Sequence, residues 1–207
     1  MHYIPIALPF LIFFVFLFAF LIILIEIDIL RYAYDRIGVG RRHMFALLLL
    51  SFLGSYINIP VYNLPGTVIA VNLGGAVIPF LLSIYLWIKN RLYLHGLVGV
   101  AIVTFCVHMM AYPVRGMGIA VPTLIPSIIA APVAFILSRR YAPPLAYISG
   151  SLGTLIGGDL LNLGQIQELG APVASIGGAG KFDGIFLTGI LSVFLASFLI
   201  GRKGASR

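Results

Sequence analysis

Two of the chain's six carboxylates stand in surroundings where a charge is costly. Asp159 closes the string Ile156-Gly157-Gly158-Asp159, and Asp183 follows the glycine-rich stretch Gly177 to Lys181. An ionisable side chain at membrane depth marks a functional site by default. These carboxylates would favour a cation or a proton. If close together they would share one proton, and such a pair can run water-mediated peptide hydrolysis. Asn58, Asn72 and Asn162 add amide donors and acceptors. Gly74-Gly75 and Gly177-Gly178 are expected to interrupt or begin helices, leaving N–H groups that attract anions, with Lys181 adding positive charge at one of them. Each residue has a plainer role open to it. Asp159 could pair with a neighbouring helix and Asp183 could N-cap the helix it precedes. The asparagines could join helices by hydrogen bonds, and the glycines could permit close packing.

The surrounding elements are apolar. The 207 residues are 61% hydrophobic and 9% charged, with mean hydropathy +1.11. A soluble domain carries about 25% charged residues. Several runs reach the roughly 20 residues that span a bilayer. The expected fold is therefore an all-α polytopic membrane protein, a single domain over residues 1–207. Seven spans are expected, at about 4–25, 44–60, 66–88, 92–112, 118–137, 144–163 and 182–200. The first lacks a basic start and a small-residue cleavage site, and is expected to be retained. Cys106 is the one cysteine, so no intramolecular disulfide forms.

The net charge of +7 follows the spans. Arg31, Arg36, Arg41 and Arg42 follow the first, Lys89 and Arg91 the third, Arg139 and Arg140 the fifth, and Arg202, Lys203 and Arg207 the seventh. Arg115 and Lys181 fall on the other side. The positive-inside rule then puts the amino terminus outside a plasma membrane and the carboxyl terminus in the cytoplasm. The charge is explained without nucleic acid.

One stretch occurs twice. Leu53 to Ala76 and Leu152 to Ala179 both open on Leu-Gly-Ser/Thr, carry Asn-Leu at Asn63 and Asn162, and close on Gly-Gly-Ala. Repeats in apolar chains mark carriers whose sites lie where the copies meet. Because the matched spans cross in the same direction, the expected arrangement is a parallel 3+1+3 repeat with glycine-broken third and seventh elements. Repeat one covers about 1–88, a linker span about 89–112, and repeat two about 117–201. At this level of architecture it looks similar to sugar carriers of the SWEET class, without their motifs. Polar groups gather toward the outer leaflet, predicting an outward vestibule.

No Gly-x-Ser-x-Gly, Cys/His dyad or His-Glu-x-x-His is present. His95 and His108 lie at opposite ends of one span, and neither a metal nor a cofactor is expected. Ile156 to Asp159 resembles the Gly-x-Gly-Asp motif of presenilin-like proteases, with Ile156 where the first glycine belongs. Tyr34-Asp35 resembles their Tyr-Asp motif but falls on the cytoplasmic side. Asp183 would have to be the partner of Asp159. The strings Val71 to Ser83, Ala174 to Leu191 and Ile156 to Leu163 resemble an uncharacterised prokaryotic membrane family, domain of unknown function 1614. The resemblance implies a plasma-membrane protein and supplies no activity.

Three functions follow as expectations. The first is a transporter or channel for a small polar solute or ion, with proton coupling through Asp159 as one form. The second is an intramembrane aspartyl protease using Asp159 and Asp183. The third is a non-catalytic membrane assembly subunit. The lipid bilayer and a small solute or ion are the expected partners, with homo-oligomerisation left open.

Overall fold

A computed structural model describes residues 14, 15, 17, 19, 29–114, 118–122, 124–169, 172–178 and 184–200. The chain is mostly helical. Seven α-helices lie within these residues: α1 (Ile29–Arg36), α2 (Arg41–Gly54), α3 (Ile78–Lys89), α4 (Tyr93–Met110), α5 (Ile125–Leu137), α6 (Ala142–Thr154) and α7 (Gly184–Ile200). A π-helical turn, Leu73–Val77, leads into α3. A second, Leu155–Asp159, prolongs α6 and passes into a 3₁₀ segment, Leu160–Leu169. The α4 helix is long and apolar enough to cross a membrane, while α3 with its π turn, α5 and α7 are shorter apolar helices.

The centre of the bundle is α6. All thirteen of its residues are buried, and α7, α4, α5 and α3 pack around it. A helix enclosed in this way needs small residues where its neighbours come closest. Added Cβ atoms show where. At Gly150 one would meet Ser192 Oγ of α7 at 2.6 Å, and at Gly153 Val103 of α4 at 2.6 Å. At Gly157 it would collide with the Thr104 carbonyl oxygen. The large side chains point elsewhere. Leu94, Leu97, Ile102, Phe105 and Met109 of α4 and Phe194 and Phe198 of α7 are exposed.

Five short strands stand beside the helices and were not expected. The residues assigned to the outer end of the second span, the Val61–Pro65 turn and the start of the third form a hairpin instead. It consists of β1 (Asn58–Leu64) and antiparallel β2 (Thr67–Asn72). Thus α2 ends at Gly54, before Pro60. The reason is local. β-branched Ile59, Val61, Thr67, Val68, Ile69 and Val71 flank Pro65-Gly66, and Gly66 adopts φ 85°. That is the chemistry of a two-residue turn between strands. The third strand of the sheet, β5 (Val173–Ile176), joins β2 in parallel, with Val71 opposite Ile176. β3 (Tyr112–Val114) and β4 (Gly118–Ala120) form a second hairpin between α4 and α5.

Close approach to backbone is the least adjustable of these contacts. Gly157→Ala should lower the thermal midpoint of the purified protein by about 2–4 °C for each of the roughly 1–3 kcal/mol that overpacking costs. Gly164→Ala, with nothing within 4 Å of the added Cβ, should leave it unchanged.

Candidate functional site

The carboxylate of Asp159 is brought to the sheet by the π turn that ends α6. A π turn closes on i+5 rather than i+4, so it carries Asp159 to a different azimuth from the one an α-helix would give. There Asp159 Oδ2 accepts a hydrogen bond from the N–H of Gly177, at 2.7 Å. Gly177 follows β5 with φ 69°, and an added Cβ would meet Ala76 at 2.6 Å. The second Gly-Gly pair therefore abuts the first Gly-Gly-Ala segment. The side chain of Asp159 is partly buried.

Asn72 fastens the other side. Its Oδ1 accepts from the N–H of Gly75 at 2.8 Å, capping the π turn that opens α3. Its Nδ2 donates to the Ser55 carbonyl at 2.8 Å and to Asn58 Oδ1 at 2.9 Å. Asn58 Oδ1 also accepts from Ser175 Oγ of β5, at 2.6 Å. Gly74 lies so close to the end of α2 that an added Cβ would collide with the Ser51 carbonyl oxygen. Gly178 N–H donates to the Ser175 carbonyl at 3.0 Å. The donors expected to be free at Gly75, Gly177 and Gly178 are therefore occupied within the chain, because Asn72, Asp159 and the β5 turn reach them first.

Asn162 turns back on its own helix. Its Nδ2 donates to the carbonyls of Gly157 and Gly158, both at 2.9 Å, where the π turn tightens into 3₁₀. The structure thus brings Asn58, Asn72, Gly74, Gly75, Gly177 and Asp159 together, with Asn162 supporting the π turn from behind. Asp183 and Lys181 lie outside the described residues, and so does the Asp159–Asp183 pair. Asp35 Oδ2 sits 3.7 Å from Arg31 Nε at the opposite end of the bundle. Among the described residues no group of three or more His, Cys, Asp or Glu side chains could hold a metal.

The α4 face against the π turn carries groups that sequence reasoning did not select. Thr104 and His108 stand one helical turn apart, and both flank Gly157. Thr104 Oγ1 and His108 Nδ1 are buried without a hydrogen-bond partner, as is Thr154 Oγ1 just before the turn. Further orphaned oxygens lie on the α6–α7 interface at Ser151 and Thr188, and at Tyr34 in α1. Burial, with Tyr147 nearby, pushes the Tyr34 hydroxyl well above the usual phenol range. The signal in the sequence was the spacing Tyr147, Ser151, Thr154, which places hydroxyls on one helical face.

These features define a helical bundle with a carboxylate held at a π turn against a small sheet. A family model described as Protein of unknown function (DUF1614) matches residues 21–195, and the chain belongs to that family. No curated protein and no solved structure matches it.

Asn63 and Asn162 occupy equivalent places in the repeated stretch but different environments. Asn162→Ala removes the side-chain donor from two buried carbonyls and should cost about 1–3 kcal/mol in denaturant unfolding. Exposed Asn63→Ala should change stability by less than about 0.5 kcal/mol.

Proposed function

We propose that this chain is a polytopic plasma-membrane protein that moves a small polar solute or ion, with Asp159 as its coupling or binding carboxylate. The observation that carries the reading is the surroundings of the π turn. The π turn ends in a carboxylate bonded to one backbone N–H, and it lies against the α4 backbone at Thr104 and His108, two residues whose side chains, like that of Thr154 just before the turn, carry a buried polar atom with no partner in the protein. Buried polar atoms are rarely left unpaired, and where they are, water or a ligand is the usual partner. π turns concentrate at functional sites. The orphaned oxygens of Thr188, Ser151 and Tyr34 extend the same chemistry along α6 and α7 and into α1.

Membrane embedding is supported by the exposed apolar side chains. On α4 they run from Leu94 to Met109, about 22 Å of helix, against a hydrocarbon thickness of about 30 Å. An apolar surface of that extent marks contact with lipid or protein. Orientation is supported by charge. Arg31, Arg36, Arg42, Lys89, Arg91, Arg139 and Arg140 stand where α1 meets α2, α3 meets α4 and α5 meets α6. That end would face the cytoplasm and the three-stranded sheet the outside. The parallel repeat is supported by β2 and β5, which precede the two Gly-Gly-Ala segments and lie side by side in the same direction. The preceding parts of the copies differ, β1 in one and a π turn with 3₁₀ helix in the other.

Orientation is checked in a Cys106→Ser background. A membrane-impermeant maleimide applied to intact cells should label Tyr62→Cys and spare Arg91→Cys, and the reverse pattern would invert the topology. Function is checked in liposomes under a potassium-diffusion potential, with pH and Na⁺ indicators inside. Wild type should pass protons or Na⁺, Asp159→Glu should retain flux, and Asp159→Asn should lose at least about tenfold, as removal of a buried charge costing more than 1.4 kcal/mol would give. Equal flux in wild type and Asp159→Asn would refute coupling through this residue.

A further inference from the structure

The cleft between α2 and α3 is a cavity of about 670 Å³ that shares no lining residue with the π turn of α6. Its walls are Ala46, Leu47 and Leu50 of α2 and Ile78, Leu81 and Leu82 of α3. Its mouth is formed by Gly38, Gly40, His43 and Tyr85, at the basic end. Lys89 spans this mouth. Its Nζ donates to the Gly38 carbonyl at 2.8 Å and lies 5.3 Å from the Tyr85 ring centroid. Gly38, at φ 76°, leaves the room, since a Cβ there would meet Lys89 Nζ at 3.0 Å.

We infer that this cleft binds one anionic phospholipid, its phosphate at Lys89, Arg42 and His43 and an acyl chain between α2 and α3. The inference rests on the membrane reading above but not on transport. Charge selects the headgroup. Lys89 and His43 are exposed at the mouth and Arg42, the neighbour of His43 in the first turn of α2, is exposed too, while Asp35, the described carboxylate of that end, is engaged by Arg31. The first turn of α2 carries no acidic residue, and Gly40 supplies no side-chain cap. Its positive end therefore adds to the cations.

The walls select the tail. A bound peptide would bring backbone N–H and C=O groups needing partners, which Ala46, Leu50, Ile78 and Leu81 cannot supply. An acyl chain needs none. From His43 to Leu50 the cleft runs about 10 Å along α2, within a leaflet depth of about 15 Å. Phe14, in the chain's first apolar run, lies on a different face. Phe14 packs on Phe52 and Tyr56, with ring centroids 6.3 and 5.8 Å away, and Phe52 lies about 200° around α2 from Leu50. Leu50 and Leu81 are 54% and 58% exposed, so the cleft opens sideways.

The test is native mass spectrometry of the detergent-purified full chain, mixed with equal phosphatidylglycerol and phosphatidylcholine of matched tails. A phosphatidylglycerol adduct should predominate. Lys89→Gln and Arg42→Gln should each weaken it about fivefold, the effect of one interfacial cation. Leu50→Trp, which fills the cleft and leaves every charge in place, should abolish it. Added inorganic phosphate should not displace the lipid. Equal adducts of the two lipids, or retention unchanged by Leu50→Trp, would overturn the inference. Recovery of the chain from cells without detergent would instead overturn the membrane reading, which keeps the two failures apart.

Discussion

A helix with neighbours on every side cannot carry large side chains where those neighbours cross it, and α6 is such a helix. Gly150, Gly153 and Gly157 face Ser192, Val103 and the Thr104 carbonyl at distances that leave no space for a methyl group. This constraint sets the positions of α4 and α7. Between these close approaches α6 buries its own large side chains, Leu145, Tyr147 and Ile148, while α4 and α7 turn large apolar side chains outward. On the membrane reading proposed above, hydrophobic gain from helix association is small, and close packing of small residues is what would hold such a bundle together.

The same tight packing raises a problem at the end of α6, where the helix leaves its neighbours and its backbone needs new partners. The π turn, the Asn162 bonds to Gly157 and Gly158, and the Asp159 bond to Gly177 are one solution to it. Asn72 solves the matching problem at the start of α3 by capping Gly75 while holding Ser55 and Asn58. The two solutions meet at Gly177, whose positive φ and missing side chain let β5 turn against Ala76. Polar groups left over from this arrangement, on Thr104, His108 and Thr154, are among those without partners.

Composition and the apolar runs made the helical character legible, the repeated stretch pointed to the two glycine-rich segments at the centre of the site, and the family was legible only through the resemblance of the strings at Val71 to Ser83, Ile156 to Leu163 and Ala174 to Leu191. Asp159, Asn72 and Asn58 were singled out because polar residues are conspicuous in an apolar chain, and the fold brings them to one end. The strands were not legible. In a chain this hydrophobic, a β-branched run beside Pro65-Gly66 reads as part of a span unless alternation is weighed above hydropathy. Donors expected to face a ligand instead meet Asn72 and Asp159: the Asp159 pairing spans 18 residues and has no local signature, while the Asn72 bond to Gly75, three residues on, is an N-cap spacing that a reading by hydropathy passes over. Thr104 and His108 had no signature either, since it is their backbone on α4 that lies against Gly157, a contact only the fold makes.

The central claim is that the π turn of α6 borders water rather than dry packing. It is tested most directly by thiol accessibility at Thr154 in a Cys106→Ser background, using a small charged methanethiosulfonate applied from the outer side. Thr154→Cys should react, and Ile148→Cys, buried two turns deeper in α6, should not. An inert Thr154→Cys would mean a dry core around Asp159, and the chain would then be an assembly component rather than a carrier.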